Sequence, residues 1–204
     1  MAECLIIPPI RTSRLYLEGI VESDVDGILQ LYSDPLITQY LGVELMRTLD
    51  DAQRWLTYHR ERQEKGLGIL MAIRKQDSHE MIGTCSVEDI NKHHHNATLG
   101  YSLAHAYWGQ GLMHEMLLAL VHYLFMEFSE VSLQRLQAWT QSENQASVRL
   151  LQRLGFLMEG CLRQLFFWHG TYKDLNCFSL LRDEYQQRLA QDDAVPPETT
   201  PHPA

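Results

Sequence analysis

The segment Tyr107-Trp108-Gly109-Gln110-Gly111-Leu112 sets two glycines one residue apart, directly between a strand-like run and a long apolar helix pattern. Glycines at such a turn let the backbone fold back tightly and leave amide N–H groups uncovered by side chains. With the positive end of a helix dipole behind them, those amides make a cradle for a phosphate or pyrophosphate. Spacing argues against two other phosphate loops. The dinucleotide fingerprint needs a third glycine where His114 stands, and a P-loop needs Gly-Lys-Ser/Thr after four spacer residues. Taken alone, such a turn is more often a tight connection that binds nothing, so the surrounding elements decide its meaning.

Those elements follow from periodicity. Residues 15–18 read as a first strand, and Ser23 is placed to cap a helix carrying Val25, Ile28, Leu29 and Tyr32 on one face. A second helix is predicted from the Thr48 cap to about residue 65, ended by Gly66, with Asp50 and Asp51 in its first turn where negative charge suits the dipole. Strands at 69–74 and 81–90 make a hairpin or meander, and a further strand at 97–104 follows the polar loop 92–96. Over 112–128 apolar residues recur at helical spacing for more than four turns, the strongest helix signal in the chain. A strand at 133–140, a helix at 144–154 stopped by Gly155, strands at 156–168 and 172–181 and a short terminal helix complete the order. This order predicts one α+β (mixed α/β) domain with a largely antiparallel twisted sheet flanked by helices.

Composition narrows the chemistry. With 17 Lys and Arg against 26 Asp and Glu, the formal net charge of −9 argues against a nucleic-acid partner and is compatible with a cationic substrate. Cys4, Cys85, Cys161 and Cys177 have no Cys-x-x-Cys pairing and read as reduced thiols, not disulfides or a zinc site. Neither a signal-peptide pattern nor an apolar stretch of about 18 residues is present, so a cytoplasmic protein without a membrane partner is expected. The domain is expected to run over 1–190, with 191–204, closing in the Pro-rich 195–204, as a disordered tail. No metal is expected. His93-His94-His95 are loop neighbours that do not converge, and His114-Glu115 lacks the second ligand of His-Glu-x-x-His because Leu118 stands there. Trp55, Tyr58, Trp108, Phe166, Phe167 and Trp168 are assigned mainly to core packing, leaving an acceptor groove or a homodimer contact open for some of them.

In Leu-Gly-Tyr-Ser-Leu at 99–103, Tyr-Trp-Gly-Gln-Gly-Leu-Met-His-Glu at 107–115, Ser-Glu-Asn-Gln-Ala-Ser at 142–147, Leu-Gly-Phe-Leu-Met-Glu-Gly-Cys-Leu-Arg at 154–163 and His-Gly-Thr-Tyr-Lys-Asp at 169–174, the chain resembles the GCN5-related N-acetyltransferase (GNAT) superfamily. Within it, the RimJ/RimL branch of ribosomal-protein N-terminal acetyltransferases is the nearest in pattern. The resemblance spans about residues 80–182, and Arg-Thr-Ser-Arg-Leu-Tyr-Leu at 11–17 looks like the family's first strand.

What the resemblance implies is an acetyl-CoA-dependent N-acetyltransferase whose acceptor is a protein N-terminal amine, attacked directly in a ternary complex. A small-molecule amine, polyamine or aminoglycoside, is the rival acceptor. A coenzyme A-binding regulatory module without turnover is the rival of another class. The loop amides around Trp108, Gly109, Gln110, Gly111, Leu112 and Met113 would hold the pyrophosphate, although Ala106 replaces the family's usual Gln or Arg at the loop start. Backbone N–H groups near Leu103 would bond the thioester oxygen, and Asn144 would bond the pantetheine arm, unless it serves only as a helix cap. Ser147 would donate to the departing sulfur, since Leu151 occupies the position of the superfamily's tyrosine acid. The glutamate some RimL-like enzymes use as base is replaced by Phe166, which leaves Glu159 and Glu88 as candidates.

Overall fold

The computed structural model describes residues 5–191. Residue 191, assigned to the tail by the sequence, is the last residue of a helix, and the remainder of the expected tail lies outside the described residues. Eight strands form one sheet: β1 (Ile10–Arg11), β2 (Leu15–Gly19), β3 (Gly68–Lys75), β4 (Met81–Asn91), β5 (Asn96–Leu103), β6 (Arg135–Gln141), β7 (Leu157–Trp168) and β8 (Thr171–Leu181). Their spatial order is β1-β2-β3-β4-β5-β6-β8-β7. Every neighbouring pair is antiparallel except β5 and β6, whose parallel pairing needs a crossover, supplied by α4 (Leu112–Met126). The remaining helices are α1 (Val25–Tyr32), α2 (Pro35–Thr38), α3 (Leu49–Glu64), α5 (Gln145–Leu154) and α6 (Arg182–Gln191). The α+β architecture expected from the sequence is the one observed, with β1 and α2, too short to leave a periodic signal, as additions.

Local chemistry explains most boundaries. Thr48 Oγ1 accepts from Asp51 N while Asp51 returns a bond to Thr48 N, a reciprocal cap that starts α3 where expected. Asn144 Oδ1 accepts from Ser147 N at 3.2 Å and starts α5, and Gly155, at φ +96, ends it. Ser23 does not cap α1. It sits inside a 3₁₀ turn, Glu22–Asp24, and Asp24 takes the N-cap position of α1 without a side-chain cap bond, its Oδ2 accepting the Val21 N–H at 2.9 Å instead.

Strand β3 lies deep in the sheet and is buried on both faces. By alternation Ile69, Met71 and Ile73 face one side, and Leu70 and Ala72 the other. The first side is covered by α4, on which Met116, Leu117, Leu120 and Leu124 have no exposed surface, each burial contributing about 1.5–3 kcal/mol. Leu151 and Leu154 of α5 join the same core. A smaller cluster gathers α1, α2 and α3 around Ile28, Tyr32, Ile37 and Leu56. Among the described residues no helix is long and apolar enough to cross a membrane.

Candidate active site

The parallel pair is short. β5 and β6 are joined only at Asn96↔Arg135, Ala97↔Leu136 and Thr98↔Gln137. Yet β5 stays with β4 as far as Leu103, and β6 stays with β8 as far as Gln141. The two strands therefore part after Thr98, leaving the facing edge of β5 without a strand partner. Ala104 N donates to Ile82 O of β4 at 2.8 Å, so by alternation the N–H and C=O of Leu103 face the opening. The carbonyl is satisfied there by Trp108 Nε1 at 2.7 Å. The Leu103 N–H is left as a donor fixed in the wall of the gap.

A cavity of about 580 Å³ occupies this opening. It brings together Leu103, Trp108, Gly109, Gly111, Leu112 and Met113. Asn144 and Ser147 of the α5 start line it as well. Gly109 and Gly111 sit at φ +73 and +74, in the left-handed region open to glycine, which confirms that the turn uses their freedom. Gly111 is the N-cap of α4 and no side chain caps that end, so the first-turn N–H groups have no side-chain partner. Gln110 turns its side chain back to Ala106 O at 3.0 Å and contributes to the turn through its backbone.

Arg14 holds this loop, a role absent from the sequence reading. Its Nη1 donates to Gln110 O at 3.0 Å, and its Nε donates to Glu115 Oε2 at 2.6 Å. Glu115 also accepts from Ser13 Oγ and from Arg14 N. Burial works to raise the Glu115 carboxyl, but the bonds from Thr12, Arg14 and Ser13 hold it below the usual carboxylate range. The start of β2 is thereby tied to the first turn of α4.

Positive charge gathers around the loop. Arg149 and Arg153 of α5 line the cavity, and neither makes an ion pair among the described residues. His114, in the first turn of α4, is held below its ordinary value by burial first and by Arg153 second, so it is neutral at pH 7. Two unpaired guanidiniums in a chain of net charge −9 mark this wall as a place for a polyanion.

Tyr101 is the second residue that the sequence reading missed. It lies two positions before Leu103, on the same face of β5, and lines the cavity together with Ser147. Burial pushes its phenol up to about 12, with Ser147 acting in the opposite direction. On the other face, Tyr32, Thr84 and Ser102 close a buried triangle of hydroxyls at 2.9, 3.1 and 2.9 Å that braces β4 against β5 beneath the opening.

The candidate bases are not brought to the cavity. Glu159 pairs with Arg135 at 2.7 and 2.5 Å and accepts from Ser179 Oγ at 2.7 Å. Arg135 first, then Ser179, pull its carboxyl down to about 2, far too acidic to take a proton from an amine at neutral pH. Arg135 also marks the closed end of the β5–β6 gap, roughly 20 Å along β6 from its open end. The expectation for Glu159 is therefore corrected: its carboxylate locks β7 to β6. In Glu88, burial raises the carboxyl, but His59 and Arg62 together bring it below the usual range. Leu151 is fully buried core, and Phe166 packs near Gly42 and stacks on Trp168 at 5.5 Å. The histidine run 93–95 is exposed, with His95 Nδ1 bonded to Val131 O at 2.7 Å.

Comparison with known proteins places this fold in a family. Residues 14–157 match the Acetyltransferase (GNAT) domain family. The chain belongs to the GNAT family. The N-acetyltransferase YoaA of Bacillus subtilis is 31% identical over 177 residues, covering 87% of this chain and 98% of that protein. A spermidine N(1)-acetyltransferase of Vibrio cholerae is 23% identical over 176 residues, 86% of this chain and 98% of its own. Among solved structures, RimL, a ribosomal L7/L12 alpha-N-protein acetyltransferase in complex with coenzyme A, superposes with a TM-score of 0.76 at 26% identity, covering 86% of this chain and 99% of that one. This GNAT protein is an acetyl-CoA-dependent acetyltransferase.

Proposed function

We propose that the enzyme acetylates the α-amine of a protein N-terminus, by direct attack of that amine on acetyl-CoA. The observation that carries this reading is the distribution of charge on the cavity wall. Leu36, Ile37, Gln39, Tyr40 and Leu41 line the acceptor side, and among the described lining residues Glu143 is the only acid. A polyamine or aminoglycoside brings several cationic groups into a site whose lining offers one carboxylate. A peptide N-terminus brings a single charge and apolar or peptidic surface, which this wall suits.

The donor side follows from the same geometry. Amides of the Trp108–Met113 turn receive the pyrophosphate, with Arg149 and Arg153 as counter-charges. Asn144 spends Oδ1 on the helix cap, and its Nδ2, free of other bonds among the described residues, serves the pantetheine arm. Leu103 N–H stabilises the oxyanion, and Ser147 donates to the departing sulfur. Arg153→Ala is expected to weaken acetyl-CoA binding about fivefold, the scale of one partly exposed ion pair, and to flatten the salt dependence of Kd, both read by titration calorimetry.

The α-amine has a pKa near 7.7–8.0, so a useful fraction is neutral at pH 7 and no protein base is required. Accordingly kcat/KM for an N-terminal peptide is expected to rise about tenfold per pH unit and level off near 8, with no inflection belonging to Glu159 or Glu88. The deciding measurement is thiol release from acetyl-CoA over N-terminal peptides, polyamines and aminoglycosides. Peptides are expected to win in kcat/KM. Preference for a polyamine would overturn the acceptor assignment, and coenzyme A binding without release for every amine would favour a binding module.

A further inference from the structure

From the sheet, the cavity is lined by Tyr101, Ser102 and Leu103 of β5. By alternation Tyr101 and Leu103 project to the α4 side, and Ser102 projects to the other, where its Oγ meets the hydroxyl of Tyr32 at the end of α1. That is the side on which Ile37 and Leu41 of the acceptor wall pack. Ser102 Oγ lies 3.1 Å from Tyr32 OH and 2.9 Å from Thr84 Oγ1, and those two lie 2.9 Å apart. Three contacts need one hydrogen each, and the three hydroxyls own three hydrogens. The ring therefore closes only if each oxygen donates once and accepts once. Either sense of the ring gives the same result at its edge. Ser102 Oγ has no hydrogen to offer the cavity and keeps a lone pair.

We propose that Ser102 is a catalytic residue that holds the attacking amine, accepting at Oγ the N–H that the nitrogen keeps in the amide product. The proposal rests on the reading of the cavity as the place where a primary amine attacks acetyl-CoA. A neutral primary amine has two N–H groups. As the C–N bond forms and the C–S bond breaks, nitrogen gives up one proton and the departing thiolate gains one, so the net movement is from nitrogen to sulfur. The second hydrogen stays on nitrogen throughout, and a fixed acceptor for it sets the direction of the nitrogen lone pair. Leu103 N–H, the donor to the thioester oxygen, is one residue along the same strand, so adjacent residues hold the two reacting partners. The ring is not the base. None of its hydroxyls takes up a proton at neutral pH, and burial of the Tyr32 phenol, which raises it, keeps its hydrogen in place.

Kinetics on the full chain test this by comparing the best primary amine with its N-methylated counterpart, which keeps no N–H after transfer. Ser102→Ala is expected to lower kcat/KM for the primary amine about tenfold, the scale of one hydrogen bond, with KM for acetyl-CoA unchanged. The N-methyl amine is expected to change by less than about twofold, because the contact is not available to it. A purely structural loss would slow both amines alike. Thr84→Val leaves the serine in place and opens the ring. The buried Tyr32 hydroxyl then has only Ser102 Oγ to donate to, which turns the serine hydrogen out to the cavity. A loss of about fivefold for the primary amine is expected, again with KM for acetyl-CoA unchanged. Equal losses for the two amines in Ser102→Ala, or wild-type kcat/KM for the primary amine in either variant, would overturn the role of Ser102 and leave the proposed function standing. Thiol release with no amine at all by the wild-type chain would sink the proposed function, and this role with it.

Discussion

Replacing the Leu103 amide by a backbone ester is expected to lower kcat by about 10²- to 10³-fold while acetyl-CoA affinity stays close to that of the unmodified enzyme. The size of the effect comes from what the strand geometry leaves at this position. β4 takes its hydrogen bond from Ala104 N, so the Leu103 N–H belongs to no ladder. Removing it costs the sheet nothing directly. The neighbouring Leu103 carbonyl keeps its bond from Trp108 Nε1, so the local backbone remains anchored on the chemical side of the strand. The ester also makes the preceding Ser102 carbonyl a weaker acceptor, a change within the roughly 0.5–1.5 kcal/mol of one hydrogen bond, and a thermal melt separates that contribution from the kinetic one. Donors fixed before the reaction act on the charge as it develops on the thioester oxygen. Their loss therefore appears in kcat and not in the binding of the ground-state thioester. Unchanged kcat with an intact melt would remove Leu103 from the chemistry.

What could be read from the sequence was local. The apolar period of α4, the Thr48 and Asn144 caps and the glycines at 109, 111 and 155 are short-range signals, and each reappears in the structure at its expected place. Tyr101 was within reach of the same reasoning, since the period of two that puts Leu103 on the cavity wall puts Tyr101 there too. It was passed over because a tyrosine in an alternating strand reads as ordinary packing. Arg14 was out of reach. Its partners Gln110 and Glu115 are 96 and 101 residues away, and nothing in the sequence near residue 14 announces them. The same holds for Glu159, whose partner Arg135 is 24 residues back on another strand. A carboxylate's usefulness as a base is set by such partners, which is why the family resemblance left Glu159 as a candidate and the fold does not. The parting of β5 from β6 is likewise invisible to periodicity, because both strands alternate normally and only their register ends early.

Gly111→Val is expected to raise the Kd for acetyl-CoA by about two orders of magnitude, the largest effect on binding from a single change. A Cβ at this position meets only Arg14 Nη2, at 3.8 Å, so the protein itself has room for it. The obstacle is conformational. At φ +74 a residue with a Cβ is strained by about 1–2 kcal/mol, and a β-branched one by more. The free protein relieves that strain by turning the residue back to negative φ, which swings the first N–H groups of α4 away from the cradle. Binding must then restore the strained turn, which accounts for about tenfold, and the valine methyls stand where phosphate oxygens approach the amides, which accounts for the rest. Gly109→Ala separates the two contributions. Gly109 has a nearly identical φ of +73 and nothing within 4 Å of its Cβ position, so only the conformational part, about tenfold, is expected there. Because Arg14 grips Gln110 O between the two glycines, Arg14→Ala should deepen the loss in Gly109→Ala by letting the relaxed turn drift. A wild-type Kd for Gly111→Val in calorimetry would mean that the pyrophosphate is held by side chains such as Arg149 and Arg153, and that the glycine turn is a connection only.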